Sequence, residues 1–354
     1  MDALDFNSQN FREKSKRRKN RFFWIAGFAV IGYITFNTGL LHREFQTEEK
    51  SNKTSQLEPI WIKNFAGLLF FNQNQAREVD KNYLMPDKEA DRLDILILGI
   101  RGENDEDAEL AGALLTDTIM VFSHDKTTKN SSLVSIPRDL YVKIYNKNDK
   151  INAAYEYGLL RKEGTSYVKK LASQITGIYI DNVIVINFAS FEKLIDQLGG
   201  VDVVLAKSFK EENQWGYTFE LPAGDNHLDG KNALYYVRSR YSTNDFDRAY
   251  RQQQVLFAMK NKITKLNFIS DPIKTLSVVG TLGQNIETDI NIWNIKEIID
   301  LGKEVDTSPP KFKKEVLSTD NLLYQTTKPN GEYILLPIGE NFDQIKQRFK
   351  DILK

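Results

Sequence analysis

Residues 183–205 read VIVINFASFEKLIDQLGGVDVVL. The opening VIVIN is a β-branched run of strand type. From Phe188 the apolar spacing changes: Phe188, Phe191, Leu194, Ile195 and Leu198 fall along one helical stripe, which stops at Gly199-Gly200. Residues 201–205 then resume as a strand. Working outward, residues 93–100 form an apolar run of the buried-strand kind. Residues 118–122 and 132–136 read as short strands joined by a polar turn at 124–130. Residues 152–157 and 166–175 read as helices, with a flexible polar loop before residue 150. Downstream, a long helix is expected over 245–263. Beyond residue 267 the pattern weakens to a helix near 293–301, strands at 322–326 and 333–336, and a last helix at 342–353. Strands alternating with helices imply an α/β fold layered on a sheet. No internal repeat or low-complexity segment interrupts it.

The N-terminus reads differently. Residues 22–41, FFWIAGFAVIGYITFNTGLL, are uncharged and would span roughly 30 Å as a helix, the thickness of a bilayer core. Residues 1–21 carry seven basic and three acidic side chains. The positive-inside rule puts them in the cytoplasm and everything after His42 outside. A cleaved signal peptide is the competing reading, but the run is long for one and no small-x-small site follows it at 40–43. Residues 42–91 read as a stalk and juxtamembrane segment, with PIWIKNFAGLLFF at 59–71 too short to span.

Composition narrows the chemistry. The whole chain has 48 basic and 48 acidic residues, so beyond residue 21 it is slightly acidic, which argues against a nucleic-acid partner. It has no cysteine and three histidines, scattered at 42, 124 and 227. Disulfides and thiolate chemistry are excluded, and a His-based zinc site is not expected.

Residues 236–252, YVRSRYSTNDFDRAYRQ, crowd Arg238, Arg240, Arg248 and Arg251 beside Asp245, Asp247 and Gln252. The run reads either as a solvated, salt-bridged surface or as a phosphate site, since guanidinium forks match phosphate oxygens. If the helix begins near Asp245, Arg248, Arg251 and Gln252 share a face, and Asn244 or Asp245 caps it. Arg238 and Arg240, two apart, share one side of an extended segment. Other polar groups sit at strand ends, where α/β ligands bind. They are Asp117 before the second strand, Arg138 behind the ladder-stopping Pro137, and Lys150 with Asn152.

The ordered blocks TDTIMV, SIPRDLYV, KINAAY, NF-x-x-F-x-x-LIDQLGGVDV, LDG-x-x-ALYYVRSR and DFDR-x-x-RQQQV resemble the LytR–CpsA–Psr family, densely over residues 93–265. The resemblance implies a single-pass bacterial membrane protein whose extracytoplasmic α/β/α domain, three layers around a central mixed sheet, follows one transmembrane helix. It also implies a phosphotransferase. Such an enzyme moves a glycopolymer, such as a teichoic acid or capsule, from a polyprenyl-pyrophosphate carrier onto a peptidoglycan hydroxyl. By resemblance, residues 92–265 form the catalytic domain, and 266–354 pack on it or complete it. Arg138, Arg238, Arg240, Arg248 and Gln252 would bind the pyrophosphate, supported by Lys150 and Asn152. Asp117, Arg138, Arg238 and Arg240 would carry catalysis. Asp117 would hold Mg²⁺. The lipid tail would lie along apolar stripes on 188–198 and on 245–263 (Val255, Leu256, Met259).

One departure stands out. Where the family carries an acidic residue after its first strand, this chain has Arg101, followed by Glu103, Asp105, Glu106 and Asp107. Asp105 is a candidate to replace the missing metal ligand. Two alternatives keep the same arginines: a polyprenyl-pyrophosphate hydrolase, and a non-catalytic lipid-linked-glycan binder or envelope regulator.

Overall fold

The computed structural model describes residues 85–102, 112–145, 147–266, 286–290 and 295–354, with a few positions between 275 and 281. The expected membrane span at 22–41, the basic tail, nearly all of the stalk, and Asp105 with its acidic neighbours lie outside the described residues. Among the described residues, no helix is long and apolar enough to cross a membrane.

The elements, in chain order, begin with strands β1 (Arg92–Ile100), β2 (Thr116–Asp125), β3 (Ser131–Ser135) and the hairpin β4 (Tyr141–Ile144) and β5 (Lys147–Lys150). A 3₁₀ turn at Ile151–Ala153 leads into helices α1 (Ala154–Leu160) and α2 (Thr165–Thr176). Then come β6 (Asn182–Asn187), α3 (Phe188–Leu198), β7 (Val201–Leu205), the short strands β8 (Phe209–Glu211), β9 (Phe219–Leu221) and β10 (Gly224–Leu228), and helices α4 (Gly230–Arg238) and α5 (Asp245–Ile263). The remainder is β11 (Ile286–Thr288), α6 (Ile295–Glu304), β12 (Phe312–Val316), β13 (Leu323–Thr327), β14 (Tyr333–Pro337) and α7 (Asp343–Asp351).

Six strands form a mixed central sheet in the order β11-β6-β1-β2-β3-β12. β1 runs parallel to β6 and antiparallel to β2, and β3 runs parallel to β12. Both sheet edges, β11 and β12, come from beyond residue 265, so these two strands belong to the same sheet as β1, β2, β3 and β6. The strand–helix–strand at 183–205 forms as its pattern requires. Asn187 caps α3 by accepting from the Ser190 N–H at 2.8 Å. Gly199 and Gly200 close it with φ near +78°, a backbone that side chains with a Cβ rarely adopt.

β1 separates two apolar layers by period-2 alternation. Its even residues Leu96, Leu98 and Ile100 join a core with Tyr167, Val168, Leu171 and Ile175 on one side of the sheet and Ile345 and Phe349 of α7. On the opposite side, α3, α4 and α5 contribute Leu194, Ile195, Ala233, Val255 and Met259 to a second core. The fold is therefore a mixed α/β fold with helices on both sides of a central sheet. Burying each large apolar side chain contributes roughly 1.5–3 kcal/mol. The start of β1 is tied to α7 by polar contacts. Arg92 pairs with Asp94 at 2.7 Å and donates to the Phe349 carbonyl at 3.0 Å. This meets the rule that a buried charge needs a partner.

Three readings of the sequence are corrected here. The expected flexible loop before residue 150 is the β4–β5 hairpin, paired from Tyr141 opposite Lys150 to Ile144 opposite Lys147. β2 continues to Asp125, so the turn begins later than 124. Arg238 ends a helix rather than opening an extended segment, because Asp229 caps α4 by accepting from the Asn232 N–H at 2.8 Å.

Candidate active site

A cavity of about 910 Å³ lies on the odd face of β1. Leu93, Ile95, Ile97, Gly99 and Arg101 line it in succession, opposite Phe191 and Leu194 of α3 and Leu256 and Met259 of α5. At roughly 3.3 Å per residue the wall from Leu93 to Arg101 is about 26 Å long. Of the stripes expected to hold a lipid, Phe188, Phe191, Leu194, Leu256 and Met259 line the cavity. Ile195, Leu198 and Val255 are packed core instead.

One end of the cavity is charged, and local backbone features aim its residues. Asp117 sits at a β-bulge: Gly99 pairs with Thr118 and Ile100 with Thr116, which leaves Asp117 as the extra residue. Bulges re-aim side chains in this way. Gly99 permits the close pairing, since a Cβ there would come within 2.9 Å of the Thr118 Cβ. Pro137 lies two residues beyond the end of β3, and Arg138 follows in a turn closed by the Leu140 N–H donating to the Pro137 carbonyl at 3.1 Å. Arg138 Nη1 reaches Asp117 Oδ1 at 2.6 Å, and Nε reaches Asp245 Oδ2 at 3.0 Å. α5 starts at the Asn244 cap, whose side chain accepts from the Asp247 N–H at 2.8 Å. One turn later Arg248, its side chain 7% exposed, meets Asp245 at 3.3 Å and donates to the Asp117 carbonyl at 3.5 Å. Burial opposes ionisation of Asp117, but Arg138, Arg248 and Arg101 outweigh it and hold the carboxyl below its ordinary pKa. Burial likewise pulls the pKa of Arg248 down, though a guanidinium remains charged.

Arg238 and Arg240 enter the cavity wall from the end of α4. Ser239 between them has left the helix, with φ −57° and ψ 130°, and both arginines line the cavity although Arg238 is helical rather than extended. The Arg238 guanidinium lies 4.1 Å from the Phe188 ring centroid and 5.2 Å from that of Trp215. Arg101, at the end of β1, lies 5.6 Å from the same Phe188 ring. Five cavity-lining arginines, 101, 138, 238, 240 and 248, thus gather at one end with Asp117. Such an arrangement suits a polyanion.

The remaining expected residues divide. Asn152 lines the cavity, and its main-chain carbonyl accepts from the Thr116 hydroxyl at 3.1 Å. Gln252 lines it too, with its amide donating to the Val237 carbonyl at 3.3 Å. Lys150 is not brought to the wall: it pairs with Asp139 at 2.8 Å and Glu332 at 3.4 Å. Arg251 turns away from Arg248 and donates to the carbonyls of Tyr236 and Ser239, where it closes the C-terminal end of α4. The sequence reading missed Gln214, Trp215 and Tyr241, which also line the cavity. Only the isolated Trp in a polar stretch hinted at them.

Among the described residues no group of three His, Asp or Glu residues could cage a metal. Asp117 is nonetheless a hard oxygen donor on the cavity wall. One carboxylate fits Mg²⁺ when phosphates and waters supply the remaining ligands.

Relatives share this architecture. The chain is 28% identical to the polyisoprenyl-teichoic acid–peptidoglycan teichoic acid transferase TagU of Oceanobacillus iheyensis, over 82% of this chain and 84% of that protein. It is 30% identical to the regulatory protein MsrR of Staphylococcus aureus, over 76% of each. The solved structure of TagT bound to LIIa-WTA superposes with a TM-score of 0.58 at 26% identity, covering 79% of this chain and 98% of that one. The pattern that defines the LytR_cpsA_psr family matches residues 63–351; with its mixed sheet and arginine-ringed cavity, the chain belongs to that family.

Proposed function

We propose that the protein is a phosphotransferase that moves a glycopolymer from a polyprenyl-pyrophosphate carrier onto a hydroxyl of peptidoglycan. One observation carries the reading. A single cavity joins an arginine-ringed end to a long apolar wall, matching a donor with a diphosphate at one end and a hydrocarbon tail at the other. The TagU name and the TagT complex support teichoic acid as the class of polymer.

In the reaction, the acceptor hydroxyl oxygen bonds to the phosphorus that bears the glycan. The bond from that phosphorus to the bridging oxygen breaks, and polyprenyl phosphate leaves with the electron pair. The hydroxyl proton passes to a nearby base or to solvent. Arg138, Arg238, Arg240 and Arg248 neutralise the diphosphate and hold it in line, which is most of what phosphoryl transfer asks of a protein. Asp117, with its lowered pKa, stays ionised and accepts a hydrogen bond from the acceptor hydroxyl rather than storing its proton. Mg²⁺, bound by Asp117 together with the donor's phosphates, would supply further charge neutralisation. The domain works outside the membrane, anchored by residues 22–41 in a single-pass type II topology.

A second reading, a lipid-linked-glycan binder with a regulatory role, is favoured by Arg101 at an acidic position and by the name of MsrR. Purified full-length protein, given a polyprenyl-pyrophosphate-linked glycan with and without peptidoglycan, separates the readings. Transfer that requires peptidoglycan supports the proposal. Release of glycan phosphate without acceptor indicates a hydrolase, and binding without turnover indicates the regulator. Full transfer in EDTA would remove Mg²⁺ from the scheme. Protease added to spheroplasts should digest the domain, and survival until lysis would overturn the topology.

A further inference from the structure

The two arginines at the end of α4 are held by an element that the reaction scheme does not use. β8 and β9 form a hairpin, paired from Phe209 opposite Leu221 to Glu211 opposite Phe219. Its tip carries Gln214 and Trp215 into the cavity wall. Gln214 bridges the arginine segment with both halves of its amide. The side-chain oxygen accepts from the Arg240 N–H at 2.8 Å, and the nitrogen donates to the Arg238 carbonyl at 3.1 Å. Trp215 Nε1 donates to the Ser239 hydroxyl at 3.0 Å, and that hydroxyl donates in turn to the Tyr235 carbonyl at 2.7 Å. The Trp215 ring stacks on Tyr235 at 4.3 Å with the planes 6° apart. Arg238 also lies near the Trp215 ring, 5.2 Å from its centroid, while contacting Phe188.

The base of the hairpin is locked to the same segment. Glu211 is fully buried. Its carboxylate accepts from the N–H groups of Asn213, Tyr241 and Ser242 and from the Ser242 hydroxyl, at 3.1–3.2 Å. The hairpin and residues 238–242 are therefore tied together at both the tip and the base. Asp117 and Asp245 space Arg138 and Arg248 against their mutual repulsion, whereas the backbone carrying Arg238 and Arg240 is held by the hairpin.

We propose that Gln214 and Trp215 are positioning residues, which set the separation of Arg238 and Arg240 so that the pair spans two linked phosphates rather than one. This rests on the donor reading above. A diphosphate needs both arginines at a fixed distance, whereas a monophosphate is satisfied by either alone. The hairpin tip therefore determines how strongly the site prefers diphosphate over monophosphate, in addition to overall affinity.

The test uses the full chain in detergent, titrated calorimetrically with a short polyprenyl diphosphate and with the matching monophosphate. Wild type should prefer the diphosphate. Gln214→Met, which removes both halves of the bridge, and Trp215→Leu should each lose about tenfold of that preference, as expected for one misplaced charge-assisted contact. Their monophosphate affinity should stay nearly constant. Trp215→Phe, which keeps a ring on Tyr235 and Arg238, should restore most of the preference. If Gln214→Met does not fold, Trp215→Leu, expected to lose the preference, against Trp215→Phe, expected to keep it, carries the comparison. An equal fall for both lipids, or no change, assigns the hairpin a purely structural role and overturns the proposal. Wild type that binds neither lipid overturns the donor reading itself, and this inference with it.

Discussion

The two faces of β1 are almost equally apolar and are used in opposite ways. Leu96 and Leu98 on the even face are 1% and 2% exposed, sealed against α2 and α7. Leu93, Ile95 and Ile97 on the odd face are half-buried and line an open cavity. Partners on β2 follow the same division. Ile119 and Val121, opposite Leu98 and Leu96, are core, whereas Thr118, opposite Gly99, lines the cavity, and Met120, opposite Ile97, backs the cavity wall while packed with Leu133 and Phe312. A hydrophobic strand with both faces covered is the expected signature of a sheet buried between helices. Here only one covering layer packs fully, and the other stands off far enough to admit a guest. Apolar character on the even face stabilises the fold, while on the odd face it is held for a ligand.

That division can be broken experimentally. Leu98→Ala should cost about 2–5 kcal/mol of stability, read by chemical denaturation, because the even face has no slack; a cost below about 1 kcal/mol would mean that this side is open as well. At the charged end of the odd face, Arg240→Ala should lower transfer by the value of one charge-assisted phosphate contact, about 1.5–3 kcal/mol, with the melting temperature unchanged or raised. Arg240→Lys should remain impaired, since a point charge does not replace a fork. Ile95→Phe should leave stability within about 1.5 kcal/mol of wild type, because the added bulk enters empty space, yet weaken lipid-donor binding. Unchanged donor affinity would show that the tail lies elsewhere.

The smallest effect concerns the far end of β2. His124 is buried beside Phe122, and burial lowers its pKa below the ordinary value. Its folded-state pKa is thus below its unfolded one, so the unfolded chain binds the extra proton first. The contribution of His124 is complete above about pH 6.5 and is lost as pH falls through the folded pKa. His124→Gln should flatten the decline of stability below pH 6.5, and an identical pH profile would assign the acid sensitivity to other groups.

How much of this was legible varies with the length of the pattern. Phe188–Leu198 and Asp245–Ile263 form over the residues their apolar spacing and caps imply. Arg138, Arg238, Arg240, Arg248, Gln252, Asn152 and Asp117 all reach one cavity. Lys150 does not, because Asp139 and Glu332 claim its charge: the β4–β5 hairpin, read from sequence as a loop, brings Asp139 to it, and the β13–β14 hairpin brings Glu332. β8, β9 and β11 have three residues each, too short for alternation to register. β5 reads KNDK, a composition that argues against a strand and is overridden by pairing with β4. Arg251, grouped with Arg248 and Gln252 by helical spacing alone, faces the Tyr236 and Ser239 carbonyls instead, because spacing cannot tell a guanidinium facing a cavity from one facing carbonyls.

The edge of the central sheet has a bearing on how the protein is made. β12 pairs with β3 in parallel, Phe312 opposite Ser131, and Phe349 closes the core beneath β1. On a ribosome or during export, β3 therefore emerges about 180 residues before its neighbour. In that interval it presents the unpaired N–H and C=O groups of a bare edge. A wait of that length for a partner is the hallmark of slow, non-local assembly. The nascent sheet is exposed to illegitimate pairing with other chains until Phe312–Val316 arrives, which makes β12 the point at which this edge is closed to aggregation.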